Sequence, residues 1–299
     1  MERFDIESFE PVQLSDRTRI QSFLAGYDDI LFCEYGFSNL FIWGNIFKTR
    51  WKIQENRLWL FNEYDDLMIM PAGESLSPTE LVQASDWLRE SGKSGTFVMA
   101  DEEYVAQYPE LEKQFFISAD PDNADYIYLI QKLVQLKGKK LIKKRNQVSQ
   151  FRHLYPHYVC QPLQPCDLDR CLHLADKWCR LRNCERQGFH HESGAIRRAL
   201  EYFQPLALQG LKIMLEDELA AFTIFSPLNA NTIDIHFEKF DPTIKGVAQT
   251  INWETAKFLE ETFKYCNREQ DMGIAGLRQS KRSYDPECIL TPYTLIRKS

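Results

Sequence analysis

Long apolar runs are missing from this 299-residue sequence. Nothing in it approaches the run of about eighteen apolar residues that a membrane-spanning helix needs. The opening stretch MERFDIESFE carries three acids among its first seven residues, unlike a secretory signal. We therefore expect no membrane span and a cytoplasmic location. The net charge of −7 argues against general binding of DNA or RNA but is compatible with a local basic patch.

Closely spaced cysteine pairs are also missing. The sequence has eight cysteines, and no two of them form a C-x-x-C arrangement. Five lie between residues 160 and 184 near several histidines, but their irregular spacing does not match that of structural zinc ligands. We predict no metal site and interpret the cysteines as reduced side chains of a cytoplasmic protein.

Acidic residues are absent from the segment 126–166, which contains eight Lys or Arg. Part of this segment predicts a helix, because Leu, Val, Phe and Tyr recur with helical period at positions 141, 148, 151 and 155. Four lysines are candidates for contacts with a tRNA backbone, which would make binding salt-dependent: Lys139, Lys140, Lys143 and Lys144. The alternative is an ordinary solvated helix face.

The chain predicts an α/β protein with mixed sheets whose two halves share one plan: helix, hairpin, strand, helix, strand. In the second half the patterns predict helices at 167–183 and 193–203, two strands within 208–228, a strand at 231–240, a helix from Gly246 to about Tyr265, and strands at 271–277 and 288–296. We therefore predict an internal duplication with an N-terminal lobe at 1–125, a basic connecting segment at 126–166 and a C-terminal lobe at 167–299.

Three stretches together resemble one family: LKGKKLIKKRNQVSQF (136–151), IKGVAQTINWETAKFL (244–259) and DMGIAGL (271–277). It is the C-terminal domain of the phosphatidylglycerol lysyltransferases and their uncharacterised bacterial relatives. The resemblance implies two GNAT-like acyltransferase lobes in tandem and transfer of an aminoacyl group from aminoacyl-tRNA. Two features expected from related enzymes are not found in this sequence. One is the many-helix membrane region of the lysyltransferases, and the other is the richer glycine loop of acetyl-CoA enzymes.

A single glycine, Gly246, lies between the 231–240 strand and the helix that follows. The backbone N–H groups at a helix start attract anions. A phosphate-bearing donor, either acyl-CoA or aminoacyl-tRNA, could therefore bind at five consecutive residues: Lys245, Gly246, Val247, Ala248 and Gln249. The alternative is a strand-to-helix turn in which glycine relieves a tight backbone.

Alternation along the same strand predicts Ile233, Ile235 and Phe237 on one face and three ionisable residues on the other. These are Asp234, His236 and Glu238. Burying three such groups is costly unless they line a cleft. Glu238 or His236 could deprotonate an attacking amine, and Asp234 could bind a cationic substrate group. The alternative is an edge strand with a solvated face.

Two further positions complete the predicted site. The resemblance to GNAT enzymes places Tyr284 where a tyrosine protonates the leaving group, although a tyrosine before Asp-Pro is also an ordinary turn residue. Asn252 and Arg278 are candidates for substrate binding.

The predicted function is acyl or aminoacyl transfer to an amine or hydroxyl, with acyl-CoA or aminoacyl-tRNA as donor and no tightly bound cofactor. The alternative is a non-catalytic GNAT-fold module that binds an amino acid, a nucleotide or a tRNA end.

Overall fold

The computed structural model describes residues 2–26, 32–182 and 192–298. It divides into two compact units, one made of residues 1–125 and 290–299 and the other of residues 126–289. Each unit is built on one seven-stranded sheet. Within the described ranges, no helix is both long and apolar enough to cross a bilayer.

Local interactions between residues close in sequence explain a hairpin and a helix start in the first unit. Glu55 and Asn56 both have positive φ and join two strands as a tight hairpin. Ser77 and Glu80 form a reciprocal capping box at a helix start. The elements, numbered in chain order, are β1 (Glu10–Pro11), α1 (Arg17–Leu24), α2 (Phe37–Phe47), β2 (Thr49–Gln54), β3 (Arg57–Asn62), β4 (Leu67–Gly73), α3 (Pro78–Glu90), β5 (Thr96–Ala100), α4 (Glu102–Gln107) and β6 (Phe115–Ala119).

The second unit continues the chain and carries the predicted site. Its elements are β7 (Asp125–Leu129), α5 (Ile130–Gln135), α6 (Ile142–Leu154), β8 (Val159–Pro162), α7 (Leu168–Arg182), α8 (Glu192–Glu201), β9 (Gln209–Leu215), β10 (Glu218–Pro227), β11 (Thr232–Phe240), α9 (Val247–Leu259), β12 (Tyr265–Asn267), α10 (Ala275–Arg282) and β13 (Cys288–Leu290), after which β14 (Tyr293–Arg297) returns to the first unit. Residue 183, the predicted end of the first helix, lies outside the described residues.

The predicted duplication is visible in the two sheets. In the first, β2, β3 and β4 run antiparallel and β5 lies parallel to β4 after the crossover helix α3. In the second, β9, β10 and β11 run antiparallel and β12 lies parallel to β11 after α9. The predicted fold of two tandem GNAT-like lobes is confirmed.

The two repeats exchange one strand each. The first sheet has the order β1-β2-β3-β4-β5-β14-β6, and the second, read in the same sense, has the order β8-β9-β10-β11-β12-β7-β13. The sixth strand of each sheet therefore comes from the other half of the sequence. For this reason residues 126–166 belong to the second unit and residues 290–299 to the first, which differs from the predicted division of the chain.

The strand predicted at 271–277 is wrong. Residues 271–274 form a turn and α10 begins at Ala275. Asp271 starts this turn, since its carboxylate accepts a hydrogen bond from the backbone of Gly273 at 3.0 Å. The first turn of α10 then brings Arg278 back onto the same carboxylate, at 2.7 and 2.8 Å. These local hydrogen bonds of Asp271 favour a turn and a helix over an extended chain here.

Candidate active site in the second unit

A β-bulge in β11 divides the three ionisable residues predicted to share one face. The pairing with β10 runs from Ile224 opposite Phe237 to Phe225 opposite Ile235, so that His236 is the extra residue. After His236, each side chain of β11 therefore faces the side of the sheet opposite to the one that strict alternation predicts. Glu238 therefore faces α9 together with Ile235. The prediction that Asp234, His236 and Glu238 share a face is wrong, because the bulge inserts a residue that the sequence pattern does not reveal.

Glu238 lies where two parallel strands part. β12 pairs with β11 only from Thr232 to Asp234, and the chain that leaves β12 carries Arg268. The Nη2 of Arg268 donates to Oε1 of Glu238 at 3.2 Å, and the Nδ2 of Asn252 donates to Oε2 at 3.4 Å. The two predicted residues Glu238 and Asn252 are thus brought together, and Arg268 joins them.

Tyr284 lies against this ion pair and is buried, with 4% of its surface exposed. The guanidinium carbon of Arg268 is 5.1 Å from the centre of its ring, and the Nζ of Lys144 is 4.1 Å from the same ring. Burial raises the pKa of Tyr284, with Glu238 adding to the shift and Arg268 opposing it. The phenol therefore keeps its proton at neutral pH and can act as a hydrogen-bond donor.

Lys144 was predicted to face RNA, and the structure places it elsewhere. It stands three residues after Leu141 and four before Val148, on the apolar stripe of α6, and all three residues are buried. Burial, and next the charge of Arg268, lower the pKa of Lys144 to about 8, whereas Glu238 opposes that shift. Lys139 and Lys143 are exposed, as the RNA-contact prediction requires of them.

The segment that carries Arg268 is fixed by a buried lysine. The Nζ of Lys281, on α10, donates to the carbonyl oxygens of residues 268, 269 and 270 at 2.5–2.9 Å. Arg278, which was predicted to bind substrate, forms an ion pair with the buried carboxylate of Asp271. Arg278 thus contributes to the architecture around the site, and the structure does not bring it into the Glu238 cluster.

A cavity of about 10 Å³ lies beside Glu238 and Asn252, walled by Ile130, Leu133, Ile235, Thr255, Ala256, Leu259 and Cys266. It has room for about one water molecule. Two buried polar atoms of the cluster, Oδ1 of Asn252 and Nη1 of Arg268, make no hydrogen bond within the described part of the chain. Such orphan groups are rare in proteins and are commonly found where a ligand or a water completes them.

The other face of β11 carries a second polar group. The Nδ1 of His236 lies 3.2 Å from Glu269 and 3.5 Å from Asp234, and its Nε2 hydrogen-bonds the Ser226 hydroxyl at 2.8 Å. The ligand atoms of Asp234, His236 and Glu269 are close enough together to hold a metal ion. In the first unit, Cys33, Glu34 and Asp125 form a comparable group. The predicted roles of Asp234 and His236 stay predictions.

Gly246 is explained by packing. Its φ is +85°, and a Cβ at this position would lie 2.7 Å from the carbonyl oxygen of Gln147 on α6. The glycine therefore allows α9 to start directly against α6. Around it Lys245 is exposed, Val247 is buried, and Ala248 and Gln249 are half-buried. Anion binding by this helix start stays a prediction.

The chain matches a family model described as phosphatidylglycerol lysyltransferase, C-terminal, over residues 32–296. The chain belongs to this family. The resemblance seen in the sequence is therefore confirmed.

Two solved structures are similar to this member of the family. A conserved protein of unknown function from Bacteroides thetaiotaomicron is 32% identical with a TM-score of 0.90, and the match covers 97% of this chain and 99% of that one. L-PGS from Bacillus licheniformis has a TM-score of 0.64 at 14% identity, over 99% of this chain and 95% of that one. The second likeness shows the fold alone.

Among curated proteins, an uncharacterized protein from Mycoplasmoides gallisepticum is 27% identical over 173 residues. These residues are 57% of this chain and 55% of that protein. The chain thus spans about half the length of that relative.

Sequence reasoning missed Arg268, which organises the cluster. It stands alone after a three-residue strand, where no periodic pattern marks it. No sequence signal marks it, because its place beside Glu238 depends on the parallel pairing of β12 with β11.

Proposed function

We propose that the second unit is a transferase that moves an aminoacyl group from an activated ester to an amine or hydroxyl acceptor. The observation that carries this proposal is the cluster of Glu238, Arg268, Asn252 and Tyr284 at the point where β11 and β12 separate; Asn252 and Tyr284 are buried, and the other two are partly buried. Polar side chains that converge beside a cavity mark a candidate ligand site. Family membership supports the same class of reaction.

The two unpartnered atoms favour an aminoacyl donor over a plain acyl-CoA. Nη1 of Arg268 needs a hydrogen-bond acceptor, whereas Oδ1 of Asn252 needs a donor. An aminoacyl ester supplies both close together, since its carbonyl oxygen accepts and its α-ammonium group donates. The carboxylate of Glu238, bonded to both side chains, would add charge for the ammonium. An acetyl group has a carbonyl but no such donor.

The chemistry needs no covalent enzyme intermediate. The acceptor attacks the ester carbonyl, the carbonyl oxygen gains negative charge, and the guanidinium of Arg268 stabilises it. As the ester C–O bond breaks, the leaving oxygen receives a hydrogen bond from the phenol of Tyr284. Positioning and electrostatic stabilisation then supply most of the rate enhancement.

Thermal-shift measurements on the purified chain test the donor class. The probes are a non-hydrolysable aminoacyl-adenosine amide, acetyl-CoA, CoA, free amino acids and bulk tRNA at low and moderate salt. A ligand at a hundred times its dissociation constant stabilises the folded state by about 2.7 kcal/mol. We expect the aminoacyl-adenosine to raise Tm in the wild type and acetyl-CoA to leave it unchanged.

The variant Asn252→Leu removes the orphan acceptor at nearly constant volume and should abolish the shift. Phe258→Leu is the matched control, because Phe258 lies on the same helix but is exposed. A shift with acetyl-CoA alone would refute the aminoacyl donor and favour acyl-CoA. Binding that Asn252→Leu leaves intact would show that the ligand binds away from this cluster.

A non-catalytic binding module remains a second candidate, and one observation favours it. The ion pair between Glu238 and Arg268 is already formed at 3.2 Å, so that the Glu238 carboxylate is engaged in pairing and is not set aside as a base. A single-turnover assay with bulk aminoacyl-tRNA and a simple amine such as hydroxylamine, compared with the same reaction without protein, separates the two. Binding of the amide probe without any acceleration over the protein-free reaction would identify a binding module.

A further inference from the structure

Lys144 differs from the other buried lysines of the second unit. Four lysines in the described part of this unit are buried: Lys144, Lys212, Lys239 and Lys281. Lys212 is paired with Asp167, Lys239 with Glu192, and Lys281 with three carbonyl oxygens. For Lys144, the described residues provide no hydrogen-bond acceptor and no carboxylate within ion-pair distance, and its Nζ lies 4.1 Å from the centre of the Tyr284 ring.

An unpaired ammonium group is unfavourable in such a place. Lys144 is 9% exposed, and the charges that face it are the cations of Arg268 and Lys143 and the anion of Glu238. Burial and the two cations therefore favour the neutral amine, which has a lone pair and can accept a proton. The contact of the Lys144 amine with the ring of Tyr284 places that amine beside the cluster of the proposed site.

The other candidates for a base fit less well. Both carboxylate oxygens of Glu238 are already engaged, by Arg268 and Asn252. His236 lies on the opposite face of β11 beyond the bulge. The phenol of Tyr284 is held in its protonated form by burial. Among the described residues Lys144 makes no hydrogen bond and contacts only the ring of Tyr284, so its neutral amine is free to accept a proton.

Resting on the proposed function, we propose that Lys144 is the proton shuttle of the transfer reaction. Its amine takes the proton from the acceptor nitrogen or oxygen as the new bond to the carbonyl carbon forms. The resulting ammonium returns that proton to the ester oxygen as its bond to carbon breaks. One proton leaves the acceptor and one reaches the alcohol product, so that Lys144 ends neutral and no other reactant is needed.

Two variants separate basicity from charge. Lys144→Met keeps the length of the side chain and removes the amine, whereas Lys144→Arg keeps a cation that cannot lose its proton. A general base contributes about 10²–10⁴-fold to the rate, so we expect both variants to lose at least a hundredfold in the single-turnover rate. The wild-type rate should rise with pH through about 8, where Lys144 loses its proton, and this rise should vanish in both variants.

The control is Lys264→Met, an exposed lysine of the same unit; it should keep the wild-type rate and pH profile. A Lys144→Arg variant with wild-type rate would overturn the proposal, because charge alone would then suffice. An unchanged pH profile in Lys144→Met would overturn it as well.

A second measurement is independent of the transfer reaction. Trace labelling of wild-type protein with acetic anhydride between pH 6 and 11, read by mass spectrometry, reports the basicity of each lysine. Lys144 should titrate near 8, whereas an ordinary lysine titrates at about 10.4. Labelling of Lys144 that titrates like an ordinary lysine would overturn the inference. If instead it titrates near 8 while no aminoacyl donor is consumed, the proposed function fails and the basicity of Lys144 is established separately.

Discussion

Replacing Gly246 by alanine tests whether this glycine serves packing or a ligand. The backbone there has φ of +85°, which costs about 1–2 kcal/mol for a residue with a side chain. The new Cβ would also lie 2.7 Å from the carbonyl oxygen of Gln147 and 3.0 Å from the Cβ of Phe151. Forcing α6 away from α9 adds about 1–3 kcal/mol. We therefore expect a loss of about 2–5 kcal/mol in the free energy of unfolding.

The assay is native-state hydrogen exchange in increasing urea, followed on peptides of the second unit, since the two units need not unfold together. Gly92→Ala is the matched control. Gly92 also has a positive φ, +76°, but a Cβ there would meet no atom within 4 Å. Backbone strain alone should lower the free energy of unfolding of this control by about 1–2 kcal/mol. Its exchange is followed on peptides of the first unit.

The difference between the two variants isolates the contact with α6. If Gly246→Ala costs no more than Gly92→Ala, close packing does not explain the glycine, and the anion-binding interpretation of the α9 start gains support. If the excess is 1 kcal/mol or more, the glycine is required by packing before any ligand binds.

The remaining predictions concern two ion pairs of the second unit. Lys212→Met leaves the buried carboxylate of Asp167 without its partner at 2.5 Å, which should cost about 3–5 kcal/mol in a urea titration. Adding Asp167→Asn should recover part of that loss, and a double variant no better than the single one would contradict the pairing argument. Burial opposes ionisation of Asp271, but hydrogen bonds from Arg278 and Tyr126 outweigh it and lower its pKa. The stability from this pair should thus be complete above the ordinary carboxyl pKa of about 3.9 and disappear as pH falls through the lower folded value. The stability gap between wild type and Arg278→Met should therefore be full at pH 7 and close in strong acid, and a gap independent of pH would refute this assignment.

Part of the candidate site could be predicted from the sequence. Glu238, Asn252 and Tyr284 were expected on chemical type and position, and the structure gathers them around one ion pair and one ring. The position of Lys144 along α6 could be predicted, but its contact with the ring of Tyr284 could not. It falls on the apolar stripe between positions 141 and 148, yet its charge suggested the exposed face.

Two features of the site could not be predicted, because each depends on register. The bulge at His236 moves Glu238 to the face of α9, and a strict alternation of residue types hides such a shift. Arg268 reaches Glu238 across 30 residues, through the pairing of two parallel strands that only the assembled sheet fixes.

The sequence by itself determined the local structure and the duplication. Capping residues, the Glu55–Asn56 turn and the apolar periods place most helices and hairpins, because these depend on neighbours within a few residues. The tertiary structure decided which strands share a sheet. β7 and β14 are each inserted into the sheet built by the other half of the chain, and this exchange depends on long-range hydrogen bonding that no local pattern encodes.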